Sequence, residues 1–425
     1  MYLDPRRVFY GWWLVGLTAF VFAVVISPIF LGLGTFFVAL EDEFGWSRAA
    51  LAGAFSLARA EDAVISPLAG YLTDKLGTRR LVPIGFFILG IGFVMFSFVQ
   101  SLVWFYIAFM VLTIGAGFAS FLPLIGAINN WFIRRKATAI GLAQTGMSLG
   151  GVLVPVLAWA IASGGWRTTA LLLAGLMWMI ALPIGSIIRN RPEDFGQRPD
   201  GDTPKSQLKG GMVAEPDDDM ATGMTASQAV RTSAFWLISL AHAFPALAFI
   251  TISIHAIPMI TDRGFSLAIA ASVVMTYTVI GGIFQLIGGF VGDRVPKRTA
   301  IAVFIGIQGA GVLLGAVAES IYGLFLFAVV FGIGFGGRVP LLVAIRGDYF
   351  GRRAFATIFG LSTIPMSLIT LSGPVVVGYV FDVTGSYLVP LLGVFVLNML
   401  GAGFILIVPR LVPLTSEQRR GSAGL

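Results

Sequence analysis

Four ionisable residues stand inside stretches that are otherwise apolar. Arg59, Glu61 and Asp62 fall within four positions of one another in "LARAEDAVISP" (residues 57–67), and Arg338 lies in "GFGGRVPLLV". The runs around them read as membrane-crossing helices. An arginine or aspartate at the centre of such a helix costs roughly 2.5 to 3.5 kcal/mol. Arg59 and Asp62 are three apart, so they share a helix face and can neutralise each other. Glu61 points about 100° away, and Arg338 has no acid within a helical turn, the next along the chain being Asp348. Two guanidiniums and two carboxylates sum to zero charge. With one carboxylate protonated the group is +1 and can accept one anion. The chemistry expected is therefore anion binding by Arg338 and Arg59, with Arg338 gripping a carboxylate through paired N–H bonds, and proton uptake by Asp62 or Glu61.

Other polar residues in apolar runs are candidates of the same kind. His242 and His255 can bind substrate or titrate; Tyr277, Gln144 and Gln285 can donate or accept hydrogen bonds. Each can equally serve only to pack against a neighbouring helix. Asn129 and Asn130 fall near a span end, where they would cap or gate. Cysteine is absent, which removes disulfides, iron–sulfur clusters and thiolate zinc sites. No G-x-x-x-x-G-K-[ST] occurs, and "GIGFGG" has neither a preceding strand nor a lysine, so no nucleotide loop is expected. No metal, no cofactor and no enzyme constellation are expected.

These residues must be held by helices in a bilayer. The chain has 425 residues, 57% hydrophobic and 12% charged, with mean hydropathy +0.90, whereas soluble domains are about a quarter charged. Twelve spans are expected, at about 10–38, 48–72, 81–99, 102–128, 137–162, 167–188, 234–260, 267–291, 299–318, 321–345, 355–380 and 387–409. No small-residue cleavage site follows "MYLDPRRVFYGWW", so the first span is expected to be retained. The net charge of +7 is concentrated in alternate loops: Arg6–Arg7, Lys75 to Arg80, Arg134–Lys136, Arg189 to Arg231, Arg294 to Arg298, Arg346 to Arg353 and Arg410 to Arg420. The intervening loops hold Arg48, Arg167 and Arg263. That asymmetry predicts a cytoplasmic membrane protein with both termini in the cytoplasm, and it makes nucleic acid an unsuitable partner. Residues 191–232, rich in Pro, Gly and charge, read as a cytoplasmic linker, with a short surface helix marked by Thr225 and Gln228 at capping-box spacing. The expected units are a six-helix bundle over 1–190, the linker, a second bundle over 233–412 and a tail over 413–425, all-α and monomeric.

The two halves repeat each other. "GYLTDKLGTRR" (70–80) matches "GFVGDRVPKR" (289–298), and "WFIRRKATAIGLA" (131–143) matches "YFGRRAFATIFGLS" (349–362) after one insertion. Asp74 and Asp293 are 219 apart, as are Pro155 and Pro374. A parallel duplication of this kind builds transporter folds with the site between the halves. "GYLTDKLGTRR" also resembles the signature loop between spans 2 and 3 of the major facilitator superfamily, at Gly70, Leu72, Asp74, Lys75, Gly77, Arg79 and Arg80. "FYGWW", "EFGWSR", "NWFIRRKATAIGLAQTG" and "RPEDFGQRPDG" resemble its monocarboxylate and oxalate/formate branch. Members of that branch have an arginine in span 8, and "SVVMTYTVIGGIFQLIGGF" has none.

The resemblance implies a secondary transporter working by alternating access on a small organic anion, with protons as the coupled partner. An anion exchanger without proton coupling and a drug/proton antiporter are the alternatives. It also implies a latch at the cytoplasmic ends. Gly70 lets span 2 approach a neighbour, and Arg79 and Arg80 belong to the same loop. Asp74 would face the start of span 11 with Arg352 and Arg353, and Asp293 the start of span 5 with Arg134 and Arg135.

Overall fold

The computed structural model describes residues 9–201 and 223–409. Every regular element among them is a helix, as a bilayer requires of a chain that must satisfy its backbone internally. The first span is α1 (Tyr10–Ile26) and α2 (Leu33–Phe44), joined by a π turn at Ser27–Leu31 that contains Pro28. α3 (Arg48–Leu76) and α4 (Thr78–Ser97) follow. The fourth span is broken at Ser120 into α5 (Leu102–Ala119) and α6 (Phe121–Trp131), and α7 (Lys136–Gly164) and α8 (Trp166–Ile187) complete the first half. After the linker comes the short α9 (Ala226–Val230), which carries the expected capping box between Thr225 and Gln228. The second half is α10 (Ser233–Asp262), α11 (Leu267–Gly292), α12 (Lys297–Val317), α13 (Ile321–Phe350), α14 (Phe355–Thr384) and α15 (Leu388–Ile407).

Among the described residues, eleven helical segments are long and apolar enough to cross a membrane. α3 is the twelfth. It is as long as α7 and packs along α14 and α5, and its ionisable residues keep it off the apolar count. Large side chains such as Leu172, Leu182 and Tyr322 turn outward, where lipid takes the place of water. The helices outrun the expected spans: α2 continues to Phe44, α13 to Phe350 and α3 to Leu76. These extra turns carry Glu41, Asp42, Asp74, Arg346 and Asp348. Hydropathy misses them, but the helical hydrogen bonds run on.

The two halves meet at the end that bears the linker, through two junctions related by the internal repeat. A Cβ on Gly70 would stand 2.2 Å from the carbonyl oxygen of Ala356, and one on Gly289 would stand 2.5 Å from that of Ala137. No side chain fits at either crossing, so α3 lies directly on α14 and α11 directly on α7. This closeness buries the first-turn N–H groups of α14 and α7, which have no partner within their own helices. Asp74 supplies the acceptors for one set: Thr357 donates its backbone N–H (2.7 Å) and its hydroxyl (2.6 Å), and Ala356 its N–H (3.3 Å). Asp293 accepts from the amides of Ala137 at 2.9 Å and Thr138 at 2.8 Å. The positive helix ends favour both carboxylates.

The arginines expected beside these aspartates are engaged elsewhere. Arg352 makes a two-pronged pair with Glu193, at 2.9 and 3.1 Å, and the Arg134 guanidinium is 3.8 Å from Asp200. Arg79 donates to the Gly185 carbonyl, and its amide to Asn190. Arg80, Arg135 and Arg353 are exposed. Main-chain amides come first because they are buried by the glycine contact, whereas arginines at the rim can turn to the linker or to water.

The chain has no cysteine, so spin labels at Ser186→Cys and Thr299→Cys report the separation of the halves without background. Asp293→Asn should shift the population toward the parted state by about tenfold, the worth of losing charge-assisted bonds to buried amides. Gly289→Leu should lengthen the distance outright. An unchanged distance distribution in both variants would show that these junctions do not hold the halves together.

Candidate substrate and coupling site

On the first half, α3 sets Glu61 and Asp62 side by side at a cavity of about 100 Å³, lined also by Phe30, Ala58, Ile65, Thr113 and Gly117. The Thr113 hydroxyl, on α5, donates to Glu61 Oε2 at 2.7 Å. The Ser66 hydroxyl, one turn further along α3, donates to Asp62 Oδ1 at 2.8 Å. Two neighbouring carboxylates therefore share one cavity and are held by hydroxyls from two helices. The side chain of Arg59 lies outside the described residues, as do Arg6, Arg7, residues 202–222 and the tail from 410.

Arg338 does not join this group. The residue is 2% exposed and its guanidinium turns into the second half, where Nε donates to Gln308 Oε1 on α12 and Nη2 donates to the Pro245 carbonyl on α10 at 2.8 Å. Gln308 Nε2 donates to the same carbonyl at 3.0 Å. Among the described residues, Arg338 is not brought together with Glu61 and Asp62 as the expected cluster requires. Residue position gave the depth of Arg338 but not its direction, and the acceptor that turns it is a glutamine on a helix far away in sequence.

A second buried arginine lies two turns further along α13. Arg346 is 1% exposed, although in sequence it falls with the basic loop because the apolar run ends just before it. The helix continues to Phe350 and carries Arg346 inward. Its Nε donates to the Ser362 hydroxyl on α14 at 3.0 Å, Nη1 to the Leu342 carbonyl, and Nη2 to His242 Nδ1 on α10 at 3.2 Å. The ring of Phe359 covers the guanidinium at 4.7 Å. A guanidinium has only donors, so Nδ1 of His242 must present its lone pair. The imidazole is neutral, with its proton on Nε2, and offers a single N–H. The signal that sequence alone offered was the isolated arginine in "LLVAIRGD", adjoining the apolar run rather than following a polar break.

Beside this group, Phe359 meets Phe121 of the first half at 5.7 Å, and Phe121 stacks on Phe22 at 5.9 Å. His255 shares its ring nitrogens between the Pro374 carbonyl at 3.0 Å and the Tyr387 hydroxyl at 3.5 Å, inside the second half. Tyr277 is buried between α11 and α13, edge-on to Phe331 at 5.6 Å. Both residues do packing work in this arrangement. Gln144 and Gln285 differ: each is buried, where α7 crosses α11, with its side-chain oxygen unpartnered among the described residues.

The second half thus buries two guanidiniums, and among the described residues neither has a carboxylate partner. The bonds to carbonyl, hydroxyl, amide and imidazole satisfy donors without cancelling charge. Such a site favours an anion. No group of three His, Asp or Glu able to hold a metal occurs among the described residues.

Comparison with known proteins gives a consistent picture. Monocarboxylate transporter 13 of Bos taurus is 25% identical over 405 residues, covering 94% of this chain and 90% of that protein. Monocarboxylate transporter 11 of Homo sapiens is 28% identical over 415 residues, covering 95% and 84%. The crystal structure of the E. coli fucose:proton symporter (N162A) superposes with a TM-score of 0.68 at 17% identity, over 93% of this chain and 98% of that one. It shares the fold. The sequence profile of the Major Facilitator Superfamily matches residues 8–275 and 238–424, and the chain therefore belongs to that superfamily of membrane transporters.

Proposed function

We propose that the protein moves a small organic anion, a carboxylate, across the cytoplasmic membrane by alternating access, coupled to protons. The observation that carries this reading is the pair of fully buried arginines, Arg338 and Arg346, with no carboxylate among their described partners. Arg346 and the Nε2–H of His242 are the anion contacts, opened when Phe121 and Phe359 separate. Arg338 ties α10 to α12 and adds its charge from behind. Glu61 or Asp62 on the opposite half takes the proton. Anion and proton together leave the net charge unchanged, so the empty and the loaded carrier cross the low-dielectric midplane on equal terms. The basic loops put the linker-bearing end in the cytoplasm, and the structure is then the state joined on the cytoplasmic side. The names of the relatives, monocarboxylate transporters, support a carboxylate. A lipophilic cation, the cargo of a drug/proton antiporter, would be repelled by both arginines.

Uptake of a labelled panel of small carboxylates into proteoliposomes tests the reading. An inward proton gradient should drive accumulation, and Arg346→Gln should reduce it at least tenfold in protein that still reconstitutes. Arg346→Lys should rescue poorly, because an ammonium cannot reproduce the planar fork. Wild-type rates in Arg346→Gln would sink the assignment of the anion site.

Glu61→Gln separates coupling from binding. It should abolish accumulation driven by the proton gradient while leaving anion exchange across the membrane intact. Gradient-independent accumulation by the unmodified protein would instead identify an exchanger, with Glu61 and Asp62 as internal structure.

A further inference from the structure

Asn129, on α6, is fully buried, and among the described residues neither its Oδ1 nor its Nδ2 has a hydrogen-bond partner. An orphaned amide at a helix–helix interface is unusual, since buried polar groups are nearly always satisfied. Its surroundings are specific. The residue opposite is Gly347 on α13, which is also the repeat counterpart of Asn129 by the match of Trp131 with Tyr349. A Cβ at Gly347 would stand 2.0 Å from Asn129 Oδ1 and 2.5 Å from Lys136 Nζ. The lysine ammonium and the orphaned carbonyl are therefore neighbours, and the glycine leaves the space between them clear.

Lys136 begins α7 and is 4% exposed. Its ammonium reaches across to the second half and stands 3.4 Å from Asp348 Oδ1. That contact is long for an ion pair, and Asp348 is already held by Lys297 of its own half at 2.9 Å. Asp348 is thus shared between two cations, one from each half. When the halves part, Lys136 loses Asp348, while Asn129 travels with it on the first half.

We infer that Lys136 exchanges partners during the transport cycle, between Asp348 across the junction in the joined state and Asn129 Oδ1 within its own half in the parted state. The exchange does two things. It removes the penalty of a buried ammonium with no acceptor when the junction opens, and it gives the parted state a bond that the joined state lacks. The two states are thereby brought closer in free energy, as a carrier that must visit both in every cycle requires. Asn129 is a positioning residue here: it touches no substrate and acts by setting the balance. The inference rests on alternating access and not on the identity of the cargo, so it stands or falls separately from the anion assignment.

The test is a double-mutant cycle on the joined-to-parted ratio, read by double electron–electron resonance between labels at Ser186→Cys and Thr299→Cys in the full chain. An Asp74→Asn background weakens one junction so that both states are populated. Asn129→Leu should raise the joined-to-parted ratio about tenfold, the worth of one charge-assisted hydrogen bond lost from the parted state. In the Asp348→Ala chain, which leaves no side-chain acceptor at that position, Lys136 rests on Asn129 in both states, and the same Asn129→Leu should leave the ratio unchanged. An equal shift in both chains would make Asn129 a packing residue and overturn the exchange, as would no shift in either. If Asn129→Leu does not give monodisperse protein, Asn129→Ala takes its place with the same expectations. Lys136→Met supplies the second control, since Asn129 substitutions should be silent once the ammonium is gone.

Discussion

The structure depends on a carboxylate set against the buried N-terminus of a helix, used twice. The contacts of Asp74 with the start of α14 and of Asp293 with the start of α7 are possible only because Gly70 and Gly289 let backbone meet backbone. The close approach strands main-chain donors away from water, and an unsatisfied donor there would cost about 1 to 3 kcal/mol. A carboxylate answers that need and also meets the positive end of the helix dipole. Each contact crosses between halves. The same bonds that satisfy the helix ends therefore also join the two halves at this end of the molecule.

Charge in the interior is arranged by half. The first half holds Glu61 and Asp62 beside one small cavity, each steadied by a hydroxyl. The second half holds Arg338 and Arg346, steadied by neutral acceptors. Neutral partners satisfy hydrogen bonds but leave the charge in place, and among the described residues no carboxylate cancels it. His242 belongs to this logic. The arginine beside it can only donate, so the histidine is confined to one neutral tautomer and becomes a donor itself.

Much of this was legible in the residues. Hydropathy located the spans, the spacing of 219 between Asp74 and Asp293 revealed the repeat, and Thr225 with Gln228 marked a capping box that the structure contains. The ionisable residues of α3 were visible as an anomaly. Arg346 was not, because its position at the edge of an apolar run reads as a loop. Nor could the sequence show that Arg338 faces Gln308, or that Arg352 turns to Glu193 rather than to Asp74.

The division has a physical reason. Transfer from water to lipid depends on the composition of each segment, so the sequence by itself determined how many spans to expect, roughly where they lie and which segments of the two halves correspond, while the breaks and extra turns of the helices came from the structure. The direction of a buried side chain depends on which acceptor another helix presents at that depth. Gln308, Ser362 and His242 come from three different helices, and only their packing decided that the two arginines would be held by neutral acceptors. The unpartnered amide of Asn129 is of the same kind: it exists because a glycine, far away in the chain, stands opposite it.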